Sequence, residues 1–161
     1  MKKITLIVTA VLFCISNLAT AQTPQLKESK VGHTFMIGLP DYMSKTAGLN
    51  RAAAVQFKST VKDVYGFVIF DTKEELDLLE MKYSNVEEYF TASFADVFKG
   101  EKNLKMSEAH TEKKGEVSFI EKDVTYYSKD IKGDIYYFIG SVETKTSFYK
   151  FFAWSVASNK D

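Results

Sequence analysis

Acid–base chemistry near neutral pH would have to begin at two side chains, His33 and His110, the only histidines in the chain. Neither stands at metal-ligand spacing. There is no His-x-x-x-His, and the single cysteine, Cys14, lies in the N-terminal apolar segment. Zinc and haem therefore find no ligand set here, and no cofactor is assigned. His33 has the phase of a half-buried strand face and reads as a satisfied core histidine; His110, beside Thr111-Glu112, reads as a solvated one. Carboxylates crowd Asp71, Glu74, Glu75, Asp77 and Glu80. A calcium loop needs oxygens at alternating positions around a central glycine, and that order is absent. Instead the charges flank Leu76, Leu78 and Leu79, as on the wet side of a short helix. No Gly-x-Ser-x-Gly elbow occurs, and the 8 glycines never fall into a phosphate-cradling order. No catalytic or metal residue is assigned, although a hydrolase site assembled only in space stays as one alternative.

What the chain does carry is aromatic surface: 13 Phe, 9 Tyr and 1 Trp, gathered late in Tyr126-Tyr127, Tyr136-Tyr137-Phe138 and Phe148 to Trp154. A tyrosine packs its ring while its hydroxyl needs water or a partner, which suits sheet edges, pocket mouths and interfaces. Tyr136, Phe138, Tyr149, Phe151 and Trp154 are the candidate apolar binding face.

The elements that must position these residues follow from periodicity. Val31, His33, Phe35, Ile37 and Leu39 share one face of a strand ended by Pro40-Asp41. Ala53, Val55 and Phe57 alternate in a second. Tyr65 to Phe70 is a continuous apolar run, too short for a helix, and fits a strand covered on both faces. Thr72 and Glu75 have capping-box spacing ahead of a short helix through Leu76 and Leu79. Ser84 and Glu87 repeat that spacing before Val86, Phe90, Phe94, Val97 and Phe98, a helical stripe stopped by Gly100. The remainder reads as β: Leu104 and Met106, Val117 to Ile120 and Val124 to Tyr127, either as two strands or as one bent strand, then Ile135 to Val142 and Phe148 to Ala157. Turns fall at Lys113-Lys114-Gly115-Glu116 and Lys132-Gly133-Asp134. The last two strands are apolar on both sides and should be central.

The N-terminus has the three parts of a secretory signal: Lys2-Lys3, the apolar run Ile4 to Ile15, and Ala19-Thr20-Ala21, so residues 1–21 are expected to be removed. The apolar run ends at Ser16-Asn17, short of the ~20 residues a bilayer span needs, so no transmembrane anchor is expected after processing. Residues 22–30, polar and holding Pro24, read as a flexible lead-in, and 31–161 as a single domain. Without Lys2 and Lys3 the basic count falls from 21 to 19 against 21 acids, a formal charge of −2. That balance offers nucleic acid no electrostatic hold.

The order of these elements, with Phe35 to Pro40 ("FMIGLP") opening and Phe148 to Ser155 ("FYKFFAWS") closing, resembles the PsbP-like (Mog1/PsbP/DcrB) group of small exported bacterial domains. The resemblance implies an α+β fold: an α/β/α sandwich around a twisted antiparallel sheet, here with the usual C-terminal helix missing after the Trp154-Ser155 strand. It implies an interaction or assembly module rather than an enzyme and brings no active-site residue with it. The expected function is thus an exported, periplasmic or secreted, non-enzymatic module that binds a protein partner or itself. A small carrier of apolar ligands or lipids is the alternative.

Overall fold

The computed structural model describes residues 25–32 and 35–159; the expected signal peptide and His33 lie outside the described residues. Leu26–Val31 (β1) and Phe35–Pro40 (β2) pair antiparallel, from Leu26 opposite Pro40 to Val31 opposite Phe35. The chain reverses beside Gly32, whose φ of 55° is open to glycine at little cost. Most of the expected flexible lead-in, from Leu26 on, is therefore strand. Its polar LKESK run hid it, because backbone pairing with β2 holds that run and burial is confined to Val31 at its end.

Eight strands form the main sheet: Ser44–Lys45 (β3), Val55–Ser59 (β4), Val64–Thr72 (β5), Lys102–Met106 (β6), His110–Lys114 (β7), Val117–Ser128 (β8), Gly133–Glu143 (β9) and Ser147–Val156 (β10). Their order is β3-β4-β5-β10-β9-β8-β6, every pairing is antiparallel, and β7 lies on β8 beside β6. The doubly apolar strands β9 and β10 are central, as their composition requires. Val117 to Ser128 is one continuous strand.

Two helices connect β5 to β6: Lys73–Leu78 (α1) and Val86–Phe94 (α2). The capping box at α1 forms as its spacing predicts: Thr72 Oγ1 accepts the Glu75 amide and Glu75 reaches back to the Thr72 amide. At α2 the cap lies one residue beyond the expected Ser84. Asn85 Oδ1 accepts the Glu88 amide at 2.9 Å, while Glu88 Oε2 accepts the Ser84 amide at 2.8 Å. This helix ends at Phe94, and i→i+3 turns carry the chain on to Gly100, whose φ is 86°. The turns still bury Phe98 but leave Val97 45% exposed.

Strand alternation gives the sheet two apolar faces. On one, Val86, Phe90, Phe94 and Phe98 pack on Ile120, Val124 and Ile139, and Leu76 of α1 joins Tyr89 and Phe148 at the same face. On the other, Val31 and Leu39 of the hairpin pack on Val55, Phe57 and Val68. The molecule is thus mostly antiparallel sheet with two helices, an α+β fold. Among the described residues both helices sit on one face, and a β-hairpin stands where the resemblance implied a second helical layer. After β10 the described chain closes with a short 3-10 turn, Ala157–Asn159.

Candidate functional site: an apolar groove under the hairpin

Alternation in β2 turns Phe35 and Ile37 toward the sheet, and an open groove of about 340 Å³ lies between this strand and the sheet. Two rows of paired residues lay its floor. Tyr149, Val142 and Phe119 stand opposite one another across β10, β9 and β8, and Val68 and Phe151 across β5 and β10; Phe70 and Gly140 continue these rows beside the groove. The aromatic rings fix one another. Phe35 meets Tyr149 edge-on at 5.1 Å, Tyr149 lies 5.2 Å from Phe70, and Phe151 lies 5.4 Å from Phe138.

Gly140 sets the depth of this floor. A Cβ there would come within 2.3 Å of the Phe151 ring and 2.6 Å of the Ile120 carbonyl. Only a residue without a side chain lets the ring lie across β9.

Of the five residues expected to form an apolar face, Tyr149 and Phe151 line the groove, and Phe138 supports Phe151 from beside it. Tyr136 shares the same face, farther along β9. Its hydroxyl donates to Asp123 Oδ1 at 2.5 Å, and burial, then this carboxylate, push its pKa above the usual range. Trp154 faces the other way. It pairs with Tyr137 and stacks between Tyr65 at 5.7 Å and Tyr137 at 5.8 Å on the helix side. The period of two places residue 154 opposite to 149 and 151. Phe35, Ile37, Phe119 and Val142 were not foreseen as parts of the site. Their alternation was legible, but their meeting depends on how the hairpin lands on the sheet.

The remaining polar side chains of the interior are matched to one another. Tyr89 Oη donates to Asp71 Oδ2 at 2.5 Å, and Lys150 Nζ stands 3.2 Å from that same oxygen. Lys73 Nζ is 2.6 Å from Glu143 Oε1 and also lies over the Phe148 ring. Burial, then the Asp71 carboxylate, hold the Tyr89 phenol far above its ordinary pKa. Ser141 Oγ is the exception: fully buried and, among the described residues, without a hydrogen-bond partner. At 0% exposure it cannot meet a substrate as a nucleophile. His110 is exposed, with Nδ1 3.4 Å from Glu121 Oε1. Among the described residues no group of three or more His, Cys, Asp or Glu side chains is placed to hold a metal ion, and no helix is long and apolar enough to cross a membrane.

A second, wider cleft of about 800 Å³ opens between α1 and the β9–β10 turn. Lys73, Glu74, Asp77 and Leu78 stand on its helix side and Lys145 and Thr146 on its turn side. Tyr149 lines both this cleft and the groove.

No protein-family model matches the chain, and no curated protein matches it in sequence. Solved structures do resemble it in fold. The solution structure of cyanobacterial PsbP (CyanoP) from Synechocystis sp. PCC 6803 has a TM-score of 0.51 at 12% identity, covering 88% of this chain and 86% of that one. A crystal structure of PA94, a Pseudomonas aeruginosa protein of unknown function, has a TM-score of 0.44 at 8% identity, covering 84% and 85%. The CyanoP likeness supports a PsbP-like α+β fold, and at this identity it is a likeness of fold alone.

Proposed function

We propose that this chain is an exported, non-enzymatic interaction module of the PsbP-like group that receives an apolar segment of a protein partner in the groove under its hairpin. The carrying observation is the groove itself: Phe35, Tyr149, Phe151 and Phe119 leave apolar surface uncovered where the hairpin ends. Such a patch lowers free energy by about 25 cal/mol for each Å² that a partner covers. A non-enzymatic role is supported by the polar groups, since Asp71, Tyr89, Lys150, Lys73 and Glu143 are engaged in mutual contacts. The full α/β/α arrangement of the group would place a further layer over the face that the hairpin covers only in part. The Lys2-Lys3, Ile4–Ile15 and Ala19-Thr20-Ala21 pattern supports export.

A second reading, a carrier of a small apolar molecule, draws on the groove's volume. The 340 Å³ lies just inside the roughly 300–1,000 Å³ of small-molecule sites. Its openness to solvent favours the partner segment.

A photoreactive residue in place of Phe119, at the rim, tests both readings in cells that make the protein. The expected result is a crosslink to one defined polypeptide, absent when the probe replaces Val61, which is 89% exposed on the β4–β5 turn. An adduct of only a few hundred daltons would move the assignment to the carrier. No adduct, or equal labelling from both positions, would remove the groove reading.

A further inference from the structure

The surface around α1 departs from the rest of the molecule in two respects. Leu78 is 79% exposed, Leu79 69% and Met81 45%, three neighbours presenting on the order of 300 Å² of apolar surface. They stand in the most acidic stretch of the chain. Residues 71–88 hold seven acids and two lysines, in a protein whose formal net charge is zero. One of those lysines, Lys73, is paired with Glu143. Glu74, Asp77 and Glu80 are exposed and form no ion pair among the described residues, and Glu74, Asp77 and Leu78 border the 800 Å³ cleft.

This prow is held rigidly. Leu76 anchors it from below against Tyr89 and Phe148, and the Lys73 amide is bonded to the Thr146 carbonyl at 2.9 Å. Its end is a Schellman motif: the Met81 amide donates to the Leu76 carbonyl and the Glu80 amide to the Asp77 carbonyl. The left-handed position of that motif, φ 59°, carries Glu80 rather than the glycine that would occupy it at least cost. A charge is thus kept at the rim where backbone stability favours another residue.

We propose that this acid-rimmed leucine prow and the cleft behind it dock a basic amphipathic peptide segment of a protein partner, its apolar side on Leu78, Leu79 and Met81 and its Lys or Arg side chains toward Glu74, Asp77 and Glu80. The chemistry is complementary in both parts, and the acidic rim opposes an anionic lipid surface. Leu78, Leu79 and Met81 are not part of the hairpin groove, whose lining meets that of the cleft at Tyr149, so a groove variant away from that residue tests this proposal apart from the proposed function.

Fluorescence anisotropy with the purified protein and a labelled leucine–lysine helical peptide of about 14 residues tests it. Binding should weaken as salt rises from about 50 to 300 mM, and the leucine–glutamate counterpart should not bind. L78S/L79S should cost ~30-fold or more in affinity, because two apolar contacts are lost. E74Q/D77N/E80Q should cost ~10-fold, whereas E108Q/E112Q/E116Q, which removes equal charge along β7 and its two flanking connections, should cost under ~2-fold. Phe151→Ala in the groove should leave the affinity unchanged. Equal loss from the two charge triplets, indifference to L78S/L79S, or preference for anionic vesicles over the peptide would overturn the proposal. A dimer that L78S/L79S dissolves would assign the prow to a second copy of this chain instead.

Discussion

Replacing Gly140 by alanine should weaken the protein and spoil the groove together, for one geometric reason. The new methyl would lie 2.3 and 2.6 Å from two atoms of the Phe151 ring and 2.6 Å from the Ile120 carbonyl, where ordinary contact begins at 3.4 Å. The ring must shift by about 1 Å or the β8–β9 ladder must part locally, and overpacking of this kind costs ~1–3 kcal/mol. Loss of glycine's freedom in the unfolded chain returns ~0.4–1 kcal/mol. The net expectation is a destabilisation of ~1–2 kcal/mol, seen as a Tm lowered by about 3–8 °C. Urea unfolding followed through Trp154 is a suitable assay, because the only tryptophan stacks between Tyr65 and Tyr137 on the opposite face of the sheet. Phe151→Ala supplies the diagnostic half of a double-mutant cycle. In the wild-type background it should cost ~2–3 kcal/mol, less than a fully buried phenylalanine, since the ring is half-buried. In the Gly140→Ala background the cost should be smaller by ~1 kcal/mol, because the truncated side chain no longer meets the new methyl. Additivity of the two changes within ~0.3 kcal/mol would refute the claim that Phe151 lies against this backbone.

Glu80→Gly should stabilise the protein by ~0.5–1 kcal/mol by relieving the left-handed position at the end of α1, while weakening the basic peptide's hold on the prow; a lowered Tm would count against the Schellman geometry. Ser141→Ala should be neutral or stabilising by up to ~1 kcal/mol, since it removes a buried hydroxyl with no partner among the described residues; a loss above ~1 kcal/mol in urea unfolding would show that the hydroxyl is engaged. Tyr89, Tyr136 and Tyr137 all have raised pKa values, caused first by burial. The fold therefore favours their neutral phenols, a contribution fully present below the ordinary value of about 10 and lost as pH climbs beyond it. In an ultraviolet titration these three of the 9 tyrosines should stay un-ionised at about pH 11 and appear only as the protein unfolds; all nine titrating reversibly near 10 would contradict the burial argument.

The strands on which the groove rests were readable in the chain, because strand alternation and capping are short-range properties. Val55 and Phe57, Tyr65 to Phe70 and the doubly apolar β9 and β10 announced themselves through neighbours two residues away. Two local signals misled. The polar residues of β1 concealed a strand that pairs with β2 along its length and is buried only at Val31, and Ser84 offered the same capping spacing that Asn85 and Glu88 took up. Tyr149 and Phe151 were singled out by their aromatic character, but Phe35 and Phe119 were not. They come from strands far apart in sequence, and nothing local records that β2 crosses the far side of the sheet.

By itself, then, the sequence determined the Thr72–Glu75 cap, the two-residue period of the last strand (which the single face drawn through Phe151 and Trp154 overlooked), and the central place of the last two strands, since each depends on residues a few positions apart. Tertiary structure alone decided where the hairpin docks, why Gly140 must stay bare, which acids pair inward and which remain at the prow. Those outcomes depend on distances between side chains that the chain brings together only when it closes the sheet.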